Sequence, residues 1–103
     1  MTHVDYRDKV EYSSERPGKV ALAETSHSRS TLWCLQQGQG ITPHVHAGDH
    51  IWAVFEGEGL FLSEGRPPQP IGPGSLLVAP AGESHGVENT GKAGLVFLSV
   101  SAG

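Results

Sequence analysis

Four of the six histidines fall into two spaced half-motifs, and imidazoles grouped in this way are ligands for a transition metal. The first half-motif runs Gly38-x5-His44-x-His46-x3-His50-x6-Gly57; the second runs Gly74-x5-Pro80-x-Gly82-x2-His85-x3-Asn89. His44 and His46 are two apart, so on a strand both side chains leave the same face. His50 opens the next β-prone run, after the turn Ala47-Gly48-Asp49, and is expected to face the same interior, with Trp52 and Val54 at its parity. His85 comes after the apolar run 75–79 and the Pro80–Gly82 turn, and would complete the set. Three or four neutral imidazoles suit one divalent transition metal per chain, and Fe, Mn, Zn, Ni and Cu all remain open. Trp33, Trp52, Val54 and Phe97 are candidate walls of an apolar pocket for a small-molecule ligand; their plainer reading is ordinary core, expected for at least two of them. His3 and His27 each stand alone in polar sequence and are read as unrelated to the site.

Two other chemistries share these residues and fail on context. His46-x3-His50 has the spacing of helical zinc motifs, but those carry Glu directly after the first His, where this chain has Ala47. Pro43 and Gly48 would also break a helix across the site. Gly82-Glu83-Ser84-His85-Gly86 fits the G-x-S-x-G pattern, which needs a strand, a sharp turn and a helix inside a larger α/β fold. Beyond Gly86 the chain is short, glycine-punctuated and β-prone, with no further histidine.

The elements that must hold the histidines read as short strands. Runs rich in β-formers lie at about 19–23, 30–37, 41–46, 50–55, 60–62, 75–79, 85–87 and 95–100, separated by Gly, Pro and Asn turns. Pro43 places its strand at an edge or a bend. Glu56-Gly57-Glu58-Gly59 reads as a hairpin turn, and Glu64 to Pro70 as a loop without regular structure. Residues 1–18 read as a polar N-terminal arm with one weak strand, and 19–103 as a single β-barrel domain. Strands at this spacing indicate an all-β sandwich or barrel.

Composition narrows the rest. The 103 residues carry a net charge of −4 and no run of Lys or Arg, which argues against nucleic acid or an anionic membrane as partner. No apolar stretch approaches the length of about 20 residues that spans a bilayer, and the polar N-terminus lacks the apolar core of a signal peptide. A soluble cytoplasmic protein is the expectation. The single cysteine, Cys34, sits in the apolar run Leu32–Leu35 and reads as a buried, inert thiol.

The two half-motifs resemble those of the cupin superfamily, G-x5-H-x-H-x3,4-E-x6-G and G-x5-P-x-G-x2-H-x3-N. The chain matches every position of the second and, in the first, Gly38, His44, His46 and Gly57; His50 stands where the family usually has Glu. The resemblance implies a jelly-roll β-barrel with a metal inside it, bound by His44, His46, His85 and, at the glutamate position, His50. It also implies a homodimer, built by exchange or packing of N-terminal strands. For function it favours a metal-dependent dioxygenase-like oxidoreductase acting on a small organic molecule. The alternatives are a sugar or uronate isomerase or lyase, and a binding module without turnover. Imidazole in place of carboxylate raises the charge of the site by one unit and removes a candidate base.

Overall fold

The computed structural model describes residues 2–103. Nine strands form two antiparallel sheets: β1 (Gly18–Glu24), β2 (Ser28–Leu35), β3 (Gly40–His44), β4 (Asp49–Glu56), β5 (Gly59–Leu62), β6 (Gln69–Ile71), β7 (Leu76–Ala79), β8 (His85–Glu88) and β9 (Leu95–Ala102). One sheet has the order β1-β2-β9-β4-β7, the other β3-β8-β5-β6. The fold is an all-β jelly roll, whose only helical feature among the described residues is a 3-10 turn at Tyr6–Asp8.

Period-two alternation explains the layering. In β2, Leu32 and Cys34 point to one face, Thr31, Trp33 and Leu35 to the other. The inward set packs between the sheets with Trp52, Val54, Ile71, Val87, Leu95 and Phe97. The outward set, Leu32, Cys34 and Val96, is covered by the N-terminal arm through Tyr6 and Val10. Cys34 has no exposed surface, and burial pushes its thiol pKa up, as an inert thiol requires.

Several details of local structure differ from expectation. The weak strand expected in the arm is the 3-10 turn at Tyr6–Asp8, with the Asp5 carboxylate accepting from the Arg7 backbone N–H. The arm is fastened to its own barrel: the Tyr6 hydroxyl donates to Glu56 (2.9 Å), and Gln39 Nε2 donates to the Ser13 carbonyl (2.7 Å). Strand β6 runs through Gln69-Pro70-Ile71, in and just beyond the stretch read as loop. It survives because it is the sheet edge, where a residue without an N–H costs no ladder bond. Glu56–Gly59 is not a hairpin: β4 and β5 lie in different sheets, and the chain crosses between layers there. At this crossing Gly57 takes φ +83°, and a Cβ would run into the Gly94 carbonyl oxygen, so only glycine fits. Finally, β2 starts at Ser28, two residues before its expected onset.

Asn89, the last residue of the second half-motif, is structural. It is 1% exposed. Its amide donates to the Leu35 and Ala93 carbonyls (2.9 and 3.0 Å), while its oxygen accepts from Gly91 N–H, pinning the turn that leads into β9.

Candidate metal centre

The site forms at one end of the barrel, where β3 and β8 of one sheet face β4 of the other. His44 and His85 are cross-strand partners. That pairing depends on a bulge: Ile41 pairs with Val87 and His44 with His85, so Thr42 and Pro43 together stand opposite Gly86. Simple alternation from the inward Ile41 would send His44 outward; the extra residue turns it in. Gly86 permits the bulge, since a Cβ there would lie 2.5 Å from the Ile41 carbonyl oxygen and 2.6 Å from Pro43 N.

His46 lies past the end of β3, in the connection to β4. The second half-motif braces it: Gly82 N–H donates to the His46 carbonyl (3.0 Å), and Ala81 N–H donates to the Asp49 carboxylate (2.8 Å). The Pro80-x-Gly82 turn therefore fixes the backbone that carries His46 and His50. Asp49 drew no attention in the sequence beyond being a turn residue.

All four imidazoles converge. One ring nitrogen each from His44, His46 and His85 lies within 4.8 Å of the others. His46 stacks on His50 with ring centroids 4.1 Å apart, and His44 meets His46 edge-on at 4.4 Å. Hydrogen bonds assign the tautomers. His44 Nδ1–H donates to the Thr42 carbonyl (2.8 Å) and His85 Nδ1–H to the Glu83 carbonyl (3.2 Å), which leaves each Nε2 lone pair available. His50 Nδ1 lies 3.2 Å from His85 Nε2 and donates to it in the metal-free protein; to ligate through Nδ1, His50 would carry its proton on Nε2 instead. Two nitrogens each about 2.1 Å from one ion are separated by roughly 3.0–3.4 Å at ligand angles from square to tetrahedral. The spacing between His50 and His85 thus suits two ligands of one ion, and the cluster fits a divalent metal.

The electrostatics agree with that fit. Desolvation, reinforced by the neighbouring imidazoles, pushes the His50 pKa from 6.5 down to about 4. Desolvation and His44 lower His46, and desolvation lowers His85 against an upward pull from the Glu83 carbonyl. Rings that stay neutral at pH 7 keep their lone pairs for a metal. For the metal-free protein the sign follows directly. Below pH 6.5 the unfolded chain binds protons that folded His50, His46 and His85 refuse, so stability falls from pH 6.5 toward 4. Below about 4 the His50 contribution is fully lost and flattens. Urea denaturation of chelator-treated protein should show this decline, with a shallower slope in His50→Gln; parallel slopes for the two chains would refute it.

The family profile described as a cupin domain matches residues 31–101. The chain belongs to the cupin family. Its sequence is 36% identical over 92 residues to the oxalate-binding protein of Thermotoga maritima, covering 81% of this chain and 75% of that protein. A shorter stretch of 42 residues is 40% identical to the dimethylsulfoniopropionate lyase of Ruegeria pomeroyi, covering 41% of this chain and 21% of that one. A double-stranded β-helix protein of Klebsiella pneumoniae superposes with TM-score 0.92 at 28% identity, covering 99% and 90% of the two chains.

In this cupin the histidines open onto a cavity of about 270 Å³ lined by Trp33, Ile41, His44, His46, His50 and Trp52. Trp52 Nε1–H donates to Ser99 Oγ (3.1 Å), and its ring meets His85 edge-on at 5.1 Å. Val54 and Phe97 do not reach the cavity; at 3% and 1% exposure they lie beneath it in the core, Phe97 against both tryptophans. The wall also holds Thr31, Ser99, Ser101, Lys19 and Arg29, none of which stands out from sequence alone. A signal was present in β9: Phe97, Ser99 and Ser101 share one parity, and serines on a buried face mark a polar cavity wall. A larger cavity of about 540 Å³, between the arm and β1, holds no histidine.

Proposed function

We propose that this cupin is a metal-dependent enzyme of dioxygenase type, acting on a small organic molecule that enters the cavity beside Trp33 and Trp52. One observation carries the reading: among the described residues, no aspartate or glutamate lines the cavity. Metal-dependent isomerases and lyases move a proton and need a positioned base near the substrate. Here the walls offer hydroxyls, indoles and two cations instead. A bound ion of the iron or manganese type would supply Lewis acidity and redox chemistry toward O2. The protein's share is to hold the neutral imidazoles, exclude water with Trp33, Ile41 and Trp52, and orient the substrate through Thr31, Ser99 and Ser101.

The test is O2 uptake by the Fe(II)- and Mn(II)-loaded protein with a panel of thiols, diketones, phenols and hydroxyacids. Stoichiometric uptake with one class is expected. No uptake, together with turnover of a sugar or uronate, would overturn the reading. A second reading, a binding module without turnover, draws support from the Thermotoga maritima relative, whose name describes binding. It expects tight ligand association and no consumption of O2 or ligand.

We infer further that the protein assembles as a homodimer through the outer face of the five-stranded sheet rather than through the arm. Two cross-strand rows there, Val20–Leu32–Leu98–Ala53–Leu76 and Ser30–Val100–Ile51–Val78, contain no charge. Leu76, Val78 and Ile51 are 65%, 58% and 41% exposed. Uncharged rows can meet their own copies about a two-fold axis without repulsion, and each residue then acts twice. Sedimentation should find a dimer that Leu76→Asp converts to monomer; a monomeric wild type would contradict the assembly.

A further inference from the structure

The wall beside the histidine cluster presents hydroxyls, indoles and two cations to the cavity. On the inner face of the five-stranded sheet, Arg29, Ser101 and His50 lie in one cross-strand row, and Thr31, Ser99 and Trp52 in the next. Lys19 pairs with Trp33 in the row beyond and sets its ammonium over that indole, 5.2 Å from the ring centroid. Adjacent strands lie about 4.8 Å apart, so Arg29 is anchored roughly 10 Å from His50, with the hydroxyl of Ser101 between them.

Arg29 is held at the mouth by Glu24, whose Oε1 accepts from Nε (3.1 Å) and Nη2 (3.0 Å), and this leaves Nη1 free. Only two ion pairs form among the described residues, Arg7–Asp5 and Arg29–Glu24, and Lys19 is in neither. Lys19 and Arg29 against Glu24 leave a net positive charge at the rim. Ser99 Oγ already accepts from Trp52, so its own proton is free to donate into the cavity.

We propose that the ligand is a small dianion longer than oxalate: one end chelates the metal at the histidines, and a second carboxylate is bound by Arg29 and Lys19. Resting on the metal-chelating ligand of the proposed function, this names its chemical class and the residues that choose it. Oxalate would spend both carboxylates at the ion and leave the cationic rim without a partner. A four-carbon hydroxydiacid offers a chelating head and a second carboxylate for the two cations that line the same cavity. Guanidinium–carboxylate pairing in this partly enclosed site favours the longer anion, although exposure and salt moderate the effect.

Calorimetry on the Mn(II)-loaded protein tests this with two ligands that share a chelating head, malate and lactate, and with oxalate as the short diacid. Malate is expected to bind about tenfold or more tighter than lactate, the scale of a hydrogen bond to a charged group. Arg29→Gln and Lys19→Met should each weaken malate severalfold and leave lactate and oxalate unchanged. Equal affinities for malate and lactate, both binding, would overturn the rim assignment while leaving chelation at the metal intact. Binding of none of the three would overturn both.

Discussion

His85→Ala should lose the metal. The residue is 1% exposed, presents Nε2 to the cluster, and pairs with His44 across the bulge, so no neighbour can replace it. Removing a partner that merely orients a ligand costs about 10–100-fold in metal affinity, and removing the ligand itself should cost at least a hundredfold. Wild-type protein dialysed against metal-free buffer is expected to keep one ion per chain, and the variant to keep almost none by elemental analysis. His44→Ala and His46→Ala should behave likewise. Equal metal content in wild type and His85→Ala would remove His85 from the site. His50 calls for a different substitution, because it occupies the position where related half-motifs carry glutamate. His50→Glu should keep an ion but change which metal is preferred; identical metal profiles would take His50 out of the ligand set.

Gly86→Ala should damage fold and site together, through backbone contacts alone. Its Cβ would meet the Ile41 carbonyl oxygen at 2.5 Å, Pro43 N at 2.6 Å and Pro43 Cα at 2.9 Å, and none of these is the end of a flexible side chain. Relief means moving the bulge that turns His44 inward. Overpacking of this kind costs about 3 kcal/mol, which in a domain of this size lowers Tm by roughly 10–20 °C. Metal retention should fall as well, because His44 is displaced even though no ligand has been changed. Thermal melts with and without metal check both effects. An unchanged Tm with full metal retention would show that β3 carries His44 inward without the bulge.

Much of this was legible in the sequence, for definite physical reasons. The period-two runs and their Gly/Pro punctuation placed eight of the nine strands. The i, i+2 spacing grouped His44 with His46, although His46 lies beyond the end of β3 and is placed by the Gly82 turn rather than by strand parity. Pro43 marked β3 as lying at an edge or a bend, and it lies at an edge. What escaped lies in contacts between distant segments. A run containing Pro70 reads as loop until the structure shows that it lies at a sheet edge, where the missing N–H is harmless. Strand parity says that His44 and His46 agree, but not which way they face; that is decided by one extra residue opposite Gly86. The bond from Ala81 to Asp49 joins residues 32 apart in the chain. Lys19 opens a run that reads as ordinary half-buried strand and Arg29 falls before the expected onset of β2, and only the pairing register brings them to the wall that faces the histidines.

The most direct measurement is X-ray absorption at the edge of the ion retained by freshly purified wild-type protein. A centre made by His44, His46, His50 and His85 predicts a first shell dominated by nitrogen at about 2.1 Å, with the outer-shell scattering of imidazole rings. His85→Ala would retain too little metal to give that signal. A shell of oxygen scatterers without the imidazole pattern would contradict the four-histidine site.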